Sequence, residues 1–351
     1  MSKKTNKKVG VIGAGSFGTA ISNLIALNGI DVLLYSRQQQ LINKINEERQ
    51  HYGITISDHI KLTNDIEQIA KECTLIFPIV PSGAFRETIQ KIGPFLKPYH
   101  ILIHGTKGFG LTGVTEEALI ARRVNVTREN VHTMSEVIRQ ESVVVRIGCL
   151  SGPNLATEIL DGQPTATVIA SQFSEVIKAG QKVLDSPQFH VFGSHEILGA
   201  ELAGALKNII ALGSGILGGM GMGKNLQAML ITRGLTEMIH YGKAMGTASR
   251  PFLGTAGVGD LVATATSKAS RNYTFGFRIG QGEKAQQILS TMPELAEGAR
   301  TLKIARGLAR HYKLHVPITE MLYNVVFEDF DKQRALYYLM KYPYAVDVDF
   351  I

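Results

Sequence analysis

Tryptophan is absent from the 351 residues, and cysteine occurs only twice. Cys73 and Cys149 each lie in a strand-like apolar run, so they read as small buried hydrophobes in a reducing compartment rather than a disulfide framework. Basic runs interleaved with aromatics are missing too, which removes the usual platform for gripping single-stranded nucleic acid. The ten histidines are scattered, and no His/Cys/Asp cluster has metal-ligand spacing, so no metal is expected. Long apolar runs are equally scarce. The opening "MSKKTNKKVG" leads into a short, glycine-broken stretch, so no signal peptide is expected. The longest uncharged stretch of the second half, Asn208 to Gly223, holds six glycines and falls short of the ~20 apolar residues of a spanning helix. These absences predict a cytoplasmic protein with no membrane insertion.

The chain is 44 % apolar and 19 % charged, the composition of a globular protein with a sizeable core, and its length suits two domains. Of the net charge of +7, four charges (Lys3, Lys4, Lys7, Lys8) crowd the first eight residues, where a solvated tail is expected. The remaining +3 suits a small anionic partner and gives no reason to expect nucleic acid.

"KVGVIG" (8–13), "DVLLYS" (31–36), "CTLIFPIV" (73–80), "HILIHG" (100–105), "SVVVRIGCL" (142–150), "ATVIA" (166–170) and "FHVFG" (189–193) read as strands, with amphipathic stretches between most of them. That alternation predicts an α/β fold with a doubly wound, mostly parallel sheet of the Rossmann kind. After Gly193 the rhythm stops, and "EILGAELAGALKNIIALGSGIL", "NLQAMLITRGLTEMIHYGKAMG" and "TEMLYNVVFEDF" carry helical period. The expected division is therefore a dinucleotide domain over 1–193 and an all-α domain over 194–351. The stretch 121–141 is expected to be an irregular excursion ending in a short helix.

"KVGVIGAGSFGTA" sets Gly13, Gly15 and Gly18 after a strand and at the opening of a helix. The first glycine permits the tight turn, the second lets the backbone approach a pyrophosphate, and the third lets the helix press onto the sheet. The end of the second strand, "LLYSRQQQ", offers Ser36 and Arg37 where an NAD-selective site carries an acid. An arginine fork there pairs with a 2′-phosphate, so NADP(H) is expected to be favoured or at least accepted beside NAD(H).

Four clusters outside the loop carry polar chemistry. "HGTKGF" puts Lys107 just past a strand; "LSGPNLATE" turns at Ser151 and Gly152 into a helix; "GVGDLVATATSKASRNYTFG" holds Asp260 and the run Ser270, Arg271, Asn272; and Lys207 sits inside the apolar "ELAGALKNIIALGSG". A lysine can move a hydroxyl proton, a second can hold the oxygen, and Ser-Arg-Asn at a helix start can grip phosphate. Burial and Lys107 push Lys207 toward neutral while Asp260 pushes it toward charged, and the sequence leaves the balance open. The small residues Ala203, Gly204, Ala211 and Ser214 read as clearance for substrate and nicotinamide beside that helix.

"GAGSFGTA", "IVPSGAFRE", "GTKGF", "SGPNLATE", "ELAGALKNIIALGSGI", "LITRGLTEM" and "GVGDLVATATSKASRN" together resemble the NAD(P)-dependent glycerol-3-phosphate dehydrogenase family, in order and over nearly the whole chain. The resemblance implies an N-terminal Rossmann domain, a helical C-terminal domain and a homodimer. It also implies interconversion of dihydroxyacetone phosphate with sn-glycerol 3-phosphate for glycerophospholipid synthesis. By the same resemblance Lys207 is the proton carrier at the substrate's C2 oxygen, with Lys107 and Asp260 as its catalytic partners. Gly152, Asn154, Thr264, Ser270, Arg271 and Asn272 line the substrate site with those three. Ser16, Phe17, Arg37, Lys107, Ala156, Arg271, Leu295 and Glu297 join the three glycines as cofactor contacts.

Three departures stand out: Phe17 where tryptophan is frequent, Asn154 where threonine is common, and a 121–141 stretch longer and more charged than the usual link. Two other readings remain open at the level of sequence. One is a related two-domain Rossmann reductase acting on another phosphorylated or acidic 2-hydroxy compound; the other is a dinucleotide sensor without catalysis.

Overall fold

The computed structural model describes residues 8–120, 126–292 and 296–341; Lys3, Lys4, Lys7 and part of the 121–141 stretch lie outside the described residues. Two compact units emerge. The first runs through Thr106 and resumes over Met134–Ile197, and the second combines Lys107–Thr133 with the chain from Leu198 onward. The division expected at 193/194 thus differs from the observed grouping in one substantial way. Lys107–Thr133 belongs with the helical unit, not with the sheet.

In the first unit eight strands form one sheet: β1 (Lys8–Ile12), β2 (Val32–Tyr35), β3 (Ile60–Thr63), β4 (Cys73–Pro78), β5 (Ile101–His104), β6 (Arg146–Ser151), β7 (Thr165–Ala170) and β8 (Phe189–Ser194). Their order is β8-β7-β6-β5-β4-β1-β2-β3, parallel throughout except for the antiparallel step from β6 to β7. β1 lies centrally, with Val11 between Leu34 and Phe77, all three buried. Strands this apolar need cover on both faces, which helices such as α1 (Ser16–Leu27), α2 (Ser82–Ile92), α3 (Met134–Glu141) and α4 (Ser174–Leu184) provide through their buried faces. Cys73 and Cys149 are buried free thiols, and burial pushes Cys73 up to about 12.

Two strand expectations change. β3 was hidden because "IKLT" carries a lysine; it is an edge strand with Lys61 exposed. The run expected from 142 pairs only from Arg146. Ser142 donates to the Ile138 carbonyl (2.8 Å) and accepts from Val144 N–H, which turns the chain and leaves Val143 and Val145 exposed.

The second unit is helical, built around α5 (Ile197–Gly219), α6 (Lys224–Ala244), α7 (Asp260–Thr266), α8 (Arg271–Gly280), α9 (Glu297–Tyr312), α10 (Pro317–Phe327) and α11 (Lys332–Met340). Among the described residues α5 is the one helix long and apolar enough to cross a membrane, and 89 % of its most apolar window is buried inside the protein. The glycines of its second half are packing devices. A Cβ on Gly215 would meet the Tyr273 carbonyl oxygen at 2.1 Å, and one on Gly276 would meet that of Leu212 at 1.9 Å, so α5 and α8 cross backbone to backbone. Ala203 and Ala211 are wholly buried in the core, and Ser214 donates to the Ala265 carbonyl at 2.7 Å. These residues pack helices together and are not the clearance the sequence suggested. The Glu237 carboxylate of α6 caps α10, accepting from the N–H groups of Ile318 (2.5 Å) and Thr319 (3.0 Å), while burial pushes its proton affinity up to about 7.

Gly276→Ala forces an extra methyl onto a backbone oxygen that cannot swing aside. It should destabilise the helical unit by roughly 1–3 kcal/mol, seen as a lower denaturant midpoint; an unchanged midpoint would contradict the close crossing.

Candidate functional site

In the first unit, β1 ends at Ile12 and the chain turns sharply into α1. Gly13 holds φ +118°, and a Cβ there would meet the Ile79 carbonyl oxygen at 2.1 Å. A Cβ on Gly18 would strike the Gly13 oxygen at 1.8 Å, so the helix can press this close only with glycine. Around Gly15 the position of a Cβ is open. Gly15 is also the N-cap of α1, with no side-chain cap and no acidic residue in the first turn. The loop therefore offers uncapped N–H groups and the positive helix end behind an unobstructed glycine, which fits a dinucleotide pyrophosphate. Ser16 opens the helix, and the Phe17 ring lies against Gly105. Arg37, just past β2, is exposed, and Ser36 accepts from Gln38 N–H. Sequence reasoning missed His51, whose Nε2 meets the Ala14 carbonyl at 3.0 Å from the Gln50–His51 strand; nothing in the local pattern marks it.

Gly152, Asn154 and Ala156 also lie in this unit. Asn154 donates to Thr167 Oγ1 at 2.8 Å, while its Oδ1 is buried without a protein partner. Ala156 begins the short helix Ala156–Leu160.

The second unit gathers the charged residues. Lys207 lies at the middle of α5, 5 % exposed. Asp260 begins α7 directly after a π-type turn, Thr255–Gly259, that re-aims the chain, and it is 1 % exposed. Lys207 Nζ donates to Asp260 Oδ1 at 2.6 Å, and Lys107 Nζ donates to Asp260 Oδ2 at 2.7 Å. Lys207 also donates to Thr264 Oγ1, and Thr264, one turn along α7, reaches Asp260 Oδ1 at 3.3 Å. One buried carboxylate is thus shared by two ammonium groups. Burial lowers the Lys207 proton affinity most, Asp260 raises it, and Lys107 lowers it again, leaving a value of about 7. The balance left open by the sequence falls where both forms of Lys207 coexist at neutral pH.

Asn208, unmarked by the sequence reading, anchors the cluster: its Nδ2 donates to the Lys107 carbonyl (3.3 Å), and its Oδ1 accepts from Asn272 (2.8 Å). Asn272 Oδ1 in turn accepts from Gly298 N–H in the first turn of α9 (2.8 Å). The Ser-Arg-Asn run therefore divides its work. Ser270 is the N-cap of α8, accepting from Tyr273 N–H; Asn272 ties three segments together; Arg271 is exposed. Glu297 opens α9, and Leu295 lies outside the described residues.

Comparison with known proteins agrees with this arrangement over both units. Residues 8–177 match the family model for the N-terminus of NAD-dependent glycerol-3-phosphate dehydrogenase, and residues 196–337 match that for its C-terminus. A protein of Teredinibacter turnerae named glycerol-3-phosphate dehydrogenase [NAD(P)+] is 38 % identical over 346 residues, covering 97 % of each chain. One of the same name from Acinetobacter baylyi is 36 % identical over 99 % of this chain and 94 % of its own. The crystal structure of glycerol-3-phosphate dehydrogenase from Coxiella burnetii is 30 % identical, with a TM-score of 0.85 over 96 % of this chain and 99 % of that one. With both halves matched, the chain belongs to the NAD(P)-dependent glycerol-3-phosphate dehydrogenase family.

Proposed function

We propose that the protein interconverts dihydroxyacetone phosphate and sn-glycerol 3-phosphate with NAD(P)H, and that Lys207 carries the proton. The observation that carries this reading is the Asp260 carboxylate shared by Lys207 and Lys107. The first unit is the dinucleotide-binding domain, through the loop at Gly13, Gly15 and Gly18; the second is the substrate domain. Bound reduced nicotinamide supplies a hydride to the substrate's C2 carbon. As the C2 oxygen becomes an alkoxide it takes a proton from Lys207 Nζ, and the reverse reaction returns that proton to the free amine.

The cluster suits both directions. Asp260 fixes Lys207 in place and favours its charged form, whereas burial and the second ammonium ease loss of the proton once a negative oxygen is there to receive it. Thr264 limits where the Lys207 ammonium can point. Lys107 keeps a positive charge in the cluster after Lys207 has given up its proton, which stabilises the oxyanion. Arg271, exposed at the start of α8, suits the phosphate, with Ser270 and Asn272 holding that turn in shape. Arg37 supports acceptance of NADP(H), since no acid stands at the end of β2.

The reading extends to a cytoplasmic homodimer feeding glycerophospholipid synthesis. Two buried free thiols support a reducing compartment, and the family resemblance supports the rest.

NADPH oxidation in the presence of dihydroxyacetone phosphate tests the activity directly, and Lys207→Ala should lower kcat by about 10²–10⁴. The pH dependence has a defined sign. Reduction needs the ammonium, so its kcat should fall as pH rises through about 7; oxidation needs the amine, so its kcat should fall as pH drops through about 7. Limbs of the same sign in both directions, or near-normal kcat in Lys207→Ala, would overturn the assignment. Arg271→Ala should raise KM for dihydroxyacetone phosphate about 10- to 100-fold, the loss of one charged hydrogen bond to phosphate, with a smaller effect on kcat. An unchanged KM would remove Arg271 from the site.

A further inference from the structure

The peptide unit joining Ala14 to Gly15 is the soft point of the glycine loop in the first unit. A trans peptide points its C=O and N–H in opposite directions, so the orientation of the Ala14 carbonyl also sets that of Gly15 N–H. Gly15 has no Cβ, and open space surrounds the position one would take, so nothing local stops this unit from turning about its flanking bonds. Among the described residues no group accepts from Gly15 N–H, and the first bond of α1 runs from Thr19 N–H to the Gly15 carbonyl.

One side chain holds the unit from outside. His51 Nε2 lies 3.0 Å from the Ala14 carbonyl oxygen. A carbonyl only accepts, so Nε2 carries the hydrogen and donates it, which fixes the tautomer of the neutral ring. With the Ala14 oxygen turned toward His51, Gly15 N–H is turned away from it.

His51 is itself firmly set. Gln50–His51 pairs antiparallel with Ile54–Thr55, His51 opposite Ile54, in a hairpin closed by Tyr52 and Gly53 alone. Both turn residues have positive φ, +48° and +79°, as a tight type I′ loop requires. That conformation is unfavourable for tyrosine, and equally for Arg49 (φ +51°), which ends the helix Gln39–Glu48. Arg49 is held there by its own guanidinium, which donates to the Ile56 carbonyl at 2.8 Å and to Asp58 at 3.0 Å. Ile56 N–H returns a bond to the Arg49 carbonyl at 2.8 Å, and Gln50 donates to Thr55 Oγ1 at 2.7 Å across the hairpin. The His51 ring packs at a tilt against that of Tyr52, with centroids 4.4 Å apart. A strained, cross-braced hairpin thus delivers one donor to the glycine loop.

We propose, on the reading of this loop as the dinucleotide site, that His51 is a positioning residue for the cofactor. Its Nε2–H locks the Ala14–Gly15 peptide in the orientation that presents Gly15 N–H and the start of α1 to the pyrophosphate. Without that bond the loop turns between orientations, and apparent affinity falls by the fraction that stays competent. The pyrophosphate is common to NADH and NADPH, so His51 acts equally on both, whereas Arg37 acts on a 2′-phosphate alone.

The test titrates the full-length protein with NADH and with NADPH, without substrate, and reads Kd from nicotinamide fluorescence. His51→Phe keeps a flat ring beside Tyr52 and loses the donor. It should weaken both cofactors by the same factor, about 3- to 10-fold, the worth of one neutral hydrogen bond. His51→Gln sets an amide N–H where Nε2 stood and should restore both Kd values to within about twofold. His51→Asn, whose amide falls at the Nδ1 position, should not, and the Gln–Asn pair carries the comparison even where the phenylalanine variant does not fold. Unchanged affinity in His51→Phe and His51→Asn, an equal loss in His51→Gln and His51→Asn, or a loss confined to NADPH overturns the proposal. Binding needs no turnover, so such a result leaves the substrate and proton assignments untouched. An unsubstituted chain that binds neither dinucleotide overturns the reading of the loop and this proposal together.

Discussion

A single carboxylate shared by two ammonium groups is the constraint on which the rest depends. Asp260 is almost wholly buried, and a buried carboxylate is tolerated only with charged partners and full hydrogen bonding. Lys207 and Lys107 supply those partners, one on each oxygen. The arrangement leaves the trio with more positive than negative charge. Burial brings Lys207 down from its ordinary 10.5 to about 7, against the pull of Asp260 and with a smaller push from Lys107. A lysine in this condition serves as acid and as base at neutral pH, the property a reversible hydride-transfer reaction needs from its proton carrier.

Holding the trio requires three distant parts of the chain, and the helical unit is organised accordingly. Lys107 arrives on a segment that leaves the sheet unit immediately after Thr106. Asn208, the neighbour of Lys207, fastens that segment by its carbonyl, and Asn272 fastens Asn208 in turn to the first turn of α9. The backbone crossing of α5 and α8 at Gly215 and Gly276 places α8, with Asn272 near its start, against α5. Fold stability and site geometry therefore share the same residues.

Local patterns carried much of this in the sequence. Continuous apolar runs marked seven of the eight strands, and the loop glycines follow from one strand–turn–helix context. Lys207 was legible because an ammonium inside an apolar helix demands a partner. What escaped were relations between distant segments. Nothing near Lys107 announces that it folds with residues 101 and 153 positions later, and Asn208 reads as an ordinary helical polar residue until its partners are visible. The glycines of α5 counted in the sequence only against a membrane span, yet they serve a tight helix crossing whose other half lies about sixty residues on. Ser270 and Asn272 were legible as a polar run at a helix start, but not the protein groups that their side chains also engage.

The central claim concerns the proton on Lys207, and ¹⁵N NMR titration of its Nζ reads that proton directly. The account predicts a midpoint of about 7 in the intact protein, moving lower in Asp260→Asn, because the group that favours the charged form has been neutralised. A midpoint near the ordinary lysine value of 10.5, or one that rises when Asp260 is neutralised, would contradict it.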